Sequence, residues 1–290
     1  MANIKDLKKK IKSTKGTFKI TKAMKLVSAA KLNKAQVKIL GLRPYSTELE
    51  ETVRTVSALA QNYSNTYFES KPNKNAIVLV VSSDKGLCGG YNSGLAKAIR
   101  RFVAQNKEEE NLKFVFIGKK VRDLIQKEVN SGKTYLFERA EPSYEEVRKV
   151  ADELGHLFLT GEVGKVYVAY NSFVSAISFE SKVRQVLPMQ VSESDKEDIK
   201  AKYPYDFKYE PSAENILDTL VPEVYLTTVY TCVLDAIASE HGSRMNAMEN
   251  ASKNCKEMIK KLSLKMNKMR QARITTELIE VVSGAESLNG

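Results

Sequence analysis

Apolar residues recur at three- and four-residue steps near the start of the chain: Ile4, Leu7, Ile11 and Phe18, with Thr14 between them. The stripe then slips and resumes at Ile20, Met24 and Val27. That spacing predicts a helix with a narrow apolar face. Pro44 interrupts a pattern that continues through Leu49, Val53, Val56, Ala60 and Tyr63, which predicts one helix kinked near Arg43 or two helices nearly in line. Residues 65–72 read as loop.

The other end is more regular. Met245, Met248, Ser252, Cys255, Ile259, Leu262, Met266 and Met269 alternate steps of three and four, a heptad seam. No glycine falls between Gly242 and Gly284 and no proline after Pro222, so one helix of about 60 residues, on the order of 90 Å, is expected. A helix that long cannot be buried inside a domain of this size. Its natural partner is the first helix, packed antiparallel. Methionine at half of the seam positions packs adaptably and specifies a partner poorly, which suits a surface that meets several environments in turn.

Between the helices the period changes. Residues 76–82 (AIVLVVS) form a short, almost wholly apolar strand. A helix over 93–105, a strand over 113–117, a helix over 119–129, a strand over 135–138, a helix over 144–159 and a strand over 165–171 follow, then an alternating edge strand over 176–188. This alternation predicts a three-layer, mostly parallel α/β domain. The fold class is therefore α/β: a long antiparallel coiled coil of the N- and C-terminal helices with an inserted domain. The expected limits are 1–66 for the first shaft helix, 74–190 for the α/β domain, 191–212 for a polar, proline-punctuated connection and 213–290 for the second shaft helix.

Charge sharpens the picture. The 290 residues carry a net charge of +11, and residues 1–38 alone hold twelve lysines against Asp6. The basicity is thus a local device, able to meet solvent or an acidic protein surface. Only Phe18 interrupts it as an aromatic, so base stacking has little to work with. With 42% hydrophobic residues the chain is not disordered. The longest apolar run, Val224 to Leu234, falls short of the ~20 residues of a membrane span, and residues 1–6 lack a secretory pattern. Cys88, Cys232 and Cys255 show neither pair nor metal spacing, which points to a reducing compartment.

Catalytic chemistry is hard to assemble. The loop Ser83-Asp84-Lys85-Gly86-Leu87-Cys88-Gly89-Gly90-Tyr91-Asn92 sits where a phosphate cradle would follow a first strand, yet its glycines match neither nucleotide-binding spacing. His156 and His241 are far apart, and no hydrolase, zinc-protease or dithiol motif occurs. Two readings of other classes stay open on the residues alone: a basic coiled-coil nucleic-acid-binding protein, and a nucleotide-dependent α/β enzyme.

Three segments carry a specific resemblance. IKSTKGTFKITKAMKLVSAAKL near the N-terminus, the loop SDKGLCGGYN and the C-terminal ITTELIEVVSGAES (Ile274 to Ser287) resemble the gamma subunits of F-type ATP synthases over nearly the whole chain. The resemblance implies a non-catalytic central rotor shaft, without cofactor or metal. It would couple ion-driven rotation of a membrane c ring to ATP synthesis or hydrolysis in a ring of alpha and beta subunits. The α/β domain and lower shaft would rest with the epsilon subunit on the c ring. Neither a nucleic-acid partner nor a direct membrane span is expected. Carried over by position, Met24 and Arg244 would lie at the neck, and Arg270, Gln271, Thr275 and Glu277 would contact alpha and beta. Tyr205, Asp206 and Glu210 would lie in the foot, within Tyr205 to Pro211. The cysteine pair that gates plastid relatives is missing, so no thiol switch is expected. The implied location is peripheral, on the cytoplasmic face of a bacterial plasma membrane.

Overall fold

The computed structural model describes residues 4–60, 63–106, 111–137, 141–190, 193–203, 205 and 207–289, without the side chains of 193–196 and 286–289. Its elements are α1 (Ile4–Leu59), β1 (Asn75–Val81), α2 (Tyr91–Asn106), β2 (Asn111–Ile117), α3 (Lys120–Ile125), β3 (Asn130–Tyr135), α4 (Tyr144–Leu159), β4 (Lys165–Ser175), β5 (Ser178–Leu187), α5 (Glu193–Lys202) and α6 (Ala213–Asn289). The chain divides into two compact units, Ala29–Arg244 and Met1–Ser28 with Met245–Gly290.

In the Ala29–Arg244 unit, five strands form one sheet in the order β3-β2-β1-β4-β5, parallel except for the antiparallel edge strand β5. β1 is central and buried on both faces, which explains why its sequence is continuously apolar rather than alternating. Successive side chains point to opposite faces. Ala76, Val78 and Val80 pack with Leu95 and Ile99 of α2 and with Val121 and Ile125 of α3. The opposite face belongs to α4 and α6: the Tyr225 hydroxyl donates to the Ala151 carbonyl at 2.9 Å, and Gly155 leaves room for the Tyr225 ring. The three-layer arrangement follows. A capping box starts α4, with the Glu146 amide donating to Ser143 Oγ and the Ser143 amide to the Glu146 carboxylate. Gly118, at φ +85°, is required where β2 ends, because a Cβ there would lie 2.3 Å from the Ser82 carbonyl oxygen.

Within the same unit α1 and α6 pack antiparallel. Leu49, Val53 and Val56 meet Leu217, Val221 and Val224, and further along Arg43 donates to Asp235 at 3.1 Å. Burial raises the Asp235 pKa, an effect that Arg43 opposes.

α1 is one helix through Pro44, the first of the two expected arrangements, and packing on both sides of the proline outweighs its one missing hydrogen bond. Other expectations need correction. α3 ends at Ile125, and β3 lies at 130–135 rather than 135–138; Glu138 is outside the described residues. The 190–212 connection holds a helix, α5, whose polar sequence has no apolar stripe to reveal it. α6 fills the expected 213–290 limits as one helix of 77 residues that includes Pro222, longer than the roughly 60 residues read from the proline-free stretch. Among the described residues it is the one helix long and apolar enough to cross a membrane by length and composition, and 72% of its apolar window is buried inside the protein. The first part of α6 is a core helix of the domain: Leu217, Val221, Val229, Val233 and Ile237 are all buried.

In the other unit the two helix ends form a coiled coil. On α6, burial follows the heptad: Met248 and Ser252 are buried, Cys255, Ile259, Leu262, Met266 and Met269 half-buried, and their neighbours on the outer face exposed. On α1 the seam does not slip. It runs Ile4, Leu7, Ile11, Thr14, Phe18, Thr21, Lys25 and Ser28, all buried or half-buried, while Ile20 and Val27 are 61% and 57% exposed. The expected resumption at Ile20 and Val27 was misled by apolarity. The true seam is polar there, and at Thr21 the hydroxyl finds its partner, Ser252, on the facing helix.

Candidate functional site

The coil's geometry follows from one register. Thr21 and Ser252 hydroxyls meet at 2.8 Å, and Lys25 pairs with Glu249 one turn away. Lys25 holds the Glu249 carboxyl below the usual carboxylate range, chiefly by hydrogen bonding. Counting seventeen residues outward from that layer in each direction sets Ile4 opposite Met269, the last seam position. Every described residue from Arg270 to Ala285 is exposed. This stretch is a single helix bearing Ile274, Leu278, Ile279, Val281 and Val282 uncovered. An exposed apolar surface of that size on a helix marks an interaction site.

The site residues expected from sequence fall in different places. Arg270, Gln271, Thr275 and Glu277 all lie on the single-helix tip and are exposed. Glu277 accepts from Arg273 Nε at 2.7 Å, and Thr275 Oγ1 donates to the Gln271 carbonyl at 3.0 Å. Met24 is half-buried beside the seam of α1. Tyr205 is 85% exposed and Glu210 is exposed, whereas Asp206 is outside the described residues. Nearby, Lys202 lies over the Tyr203 ring and Tyr203 packs against Phe207.

Arg244 makes its bonds within the Ala29–Arg244 unit. Only 8% exposed, it donates to Glu240 at 2.6 Å and to the carbonyls of Lys85 and Gly86 at 3.0 and 3.3 Å. Burial raises the Glu240 pKa, and Arg244 opposes that rise. The sequence could not have shown this arrangement, since the loop and α6 are 158 residues apart.

The loop that Arg244 holds is the one after β1. Ser83 Oγ donates to the Lys85 carbonyl at 2.9 Å, and Asn92 Nδ2 donates to Ser83 Oγ and to Cys88 Sγ at 2.8 and 3.1 Å. These side chains bond to one another inside the loop, with Ser83 and Cys88 buried. Burial raises the Cys88 pKa above the ordinary thiol value, so the thiol is not activated. Cys88, Cys232 and Cys255 are free. Among the described residues no group of three or more His, Cys, Asp or Glu side chains is placed to hold a metal ion.

Comparison with known proteins agrees with this geometry. The ATP synthase family model matches residues 3–288. The ATP synthase gamma chain of Geobacter sp. is 39% identical over 291 residues, and that of Bdellovibrio bacteriovorus 40% over 296, each comparison covering 100% of both chains. Among solved structures, a chain of the Euglena gracilis mitochondrial ATP synthase, OSCP/F1/c-ring, shares the fold with a TM-score of 0.67 at 21% identity, covering 98% of this chain and 94% of that one. A chain of the Tetrahymena thermophila mitochondrial ATP synthase central stalk and c ring gives 0.58 at 24% identity, covering 80% and 99%. On sequence similarity spanning its whole length, the chain belongs to the ATP synthase gamma-chain family.

Proposed function

We propose that the coil and its tip work as the torque shaft and bearing of a rotary ATP synthase. As a family member the chain is the gamma subunit of an F-type ATP synthase, its central-stalk rotor. The observation that carries the mechanical reading is the change at Arg270 from a two-helix coil to a single helix with uncovered aliphatic side chains. A paired coil resists twist, and a single apolar helix can turn within an apolar sleeve.

Under this reading Arg270, Gln271, Thr275 and Glu277 face the alpha and beta subunits, and Met24 lies at the neck. The lysine-rich face of α1 meets an acidic surface on the ring. Tyr205, Asp206 and Glu210 belong to the foot, which meets the epsilon subunit and the c ring. The subunit is peripheral, on the cytoplasmic face of the membrane, and supplies no catalytic group of its own. The filled interior of the Ser83–Asn92 loop supports that last point and disfavours a nucleotide-dependent enzyme.

The test is purification of the tagged chain from its native cells. Co-purification of alpha, beta, epsilon and c subunits in one ATP-hydrolysing complex is the expected result. Recovery of the chain without them contradicts the proposal.

A further inference from the structure

Leu87 sits at the tip of the loop after β1, at φ +62° and 64% exposed. Leucine seldom adopts this backbone region, and such an outlier persists only where its surroundings hold it. Those surroundings are identifiable. On one side of Leu87, Arg244 donates to the carbonyls of Lys85 and Gly86; on the other, Ser243 Oγ donates to the Cys88 carbonyl at 2.5 Å. Two consecutive residues of one helix thus hold the loop backbone before and after the strained residue. Glu240, one turn back, aims the guanidinium through a charge-assisted bond. The neighbouring Gly242 packs against a different segment: a Cβ there would lie 3.0 Å from the Ala176 carbonyl oxygen of the β4–β5 turn.

We infer that Ser243 and Arg244 form a clamp that fixes the Lys85–Cys88 backbone and holds Leu87 outward, making Arg244 a positioning residue for this loop. The inference rests on the shaft reading only for its consequence, that a loosened loop weakens coupling. The clamp itself is a property of the chain alone. A lysine at position 244 could reach one carbonyl but not span two while pairing with Glu240.

The three cysteines provide a direct assay. Cys88 is buried inside the clamped loop, Cys232 lies buried on α6 in the core, and Cys255 is half-buried on the coil. Maleimide labelling of the purified full-length chain, with each cysteine followed by mass spectrometry, reads loop, core and coil separately. Arg244→Ala should raise the Cys88 rate at least tenfold, with Cys232 still protected and Cys255 unchanged; Arg244→Lys should fall between. Should Arg244→Ala fail to fold, the pair Arg244→Met with Glu240→Gln removes both charges together and should give the same selective rise. A Cys88 rate equal to wild type overturns the clamp, and so does a parallel rise at Cys88 and Cys232, which would mean general loosening. In the assembled complex the same variants should lower ion pumping per ATP hydrolysed; unchanged pumping with a freed Cys88 overturns the loop's part in coupling. Failure of the wild-type chain to assemble would instead remove the shaft reading and leave the labelling result standing.

Discussion

Thr21 and Ser252 stand opposite one another in the coil, hydroxyl to hydroxyl at 2.8 Å, both 8% exposed. A buried hydroxyl is costly alone and nearly neutral when paired, so the two are energetically one unit. Thr21→Val leaves Ser252 buried without its partner and should destabilise the chain by about 1–3 kcal/mol. Adding Ser252→Ala should recover part of that loss. Urea denaturation of both singles and the double gives the coupling, and strictly additive effects would show the pair to be independent.

His241 sets a limit on acid stability. Both of its ring nitrogens are buried without a hydrogen-bond partner. Burial, with Arg244 and Lys31 nearby, pushes its pKa from 6.5 down to about 4, against the opposing effect of Glu141. Between those values the unfolded chain binds the proton and the folded chain does not, so stability falls as pH drops through that window. The slope approaches about 1.4 kcal/mol per pH unit. About one pH unit above 6.5 the residue's pH dependence has faded. His241→Leu should flatten this limb relative to wild type in denaturation series from pH 7.5 to 4.5, and parallel profiles would contradict the assignment.

The lysine face of α1 should act through charge. Lys8, Lys9 and Lys12 are exposed, so each contact is worth only about 0–1 kcal/mol and single substitutions should be mild. Reversing all three to Glu should weaken coupling or assembly more at low salt than at high salt. A defect that ignores salt would point to packing.

How far the sequence foretells this depends on where each side chain finds its partner. The α6 heptad was legible because Ile259, Leu262 and the methionines bury themselves by their own chemistry. The α1 seam was not, because the polar Thr21 and Ser28 are buried, Thr21 against Ser252 of α6, while the apolar Ile20 and Val27 face outward. β3, with the sequence NSGKTY, lacks any apolar run and is held at the sheet edge by backbone pairing to β2. Among the site residues, the tip positions were placed by motif and do lie exposed on one helix. Arg244 was recognisable as important, yet its committed hydrogen bonds to the distant loop became visible only in three dimensions.

That loop should also decide the question of nucleotides. Its interior is taken up by Ser83, Cys88 and Asn92, so calorimetric titration of the chain with ATP, ADP or NAD should be flat. Micromolar binding abolished by changes within Ser83–Asn92 would revive an enzymatic role.

The central claim is that torque passes through the paired coil while the tip serves as a bearing. Leu262 lies in the seam, and Leu262→Pro removes an intrahelical hydrogen bond and clashes with the preceding turn, at about 3 kcal/mol or more. Gly284 to Gly290 lie beyond the last seam position, Met269. Single-molecule rotation of the reconstituted complex compares the two directly. Deleting those seven residues should leave ATP-driven rotation intact, if slower, and Leu262→Pro should abolish torque or assembly. Rotation stopped by the truncation but unaffected by the seam proline would contradict the account.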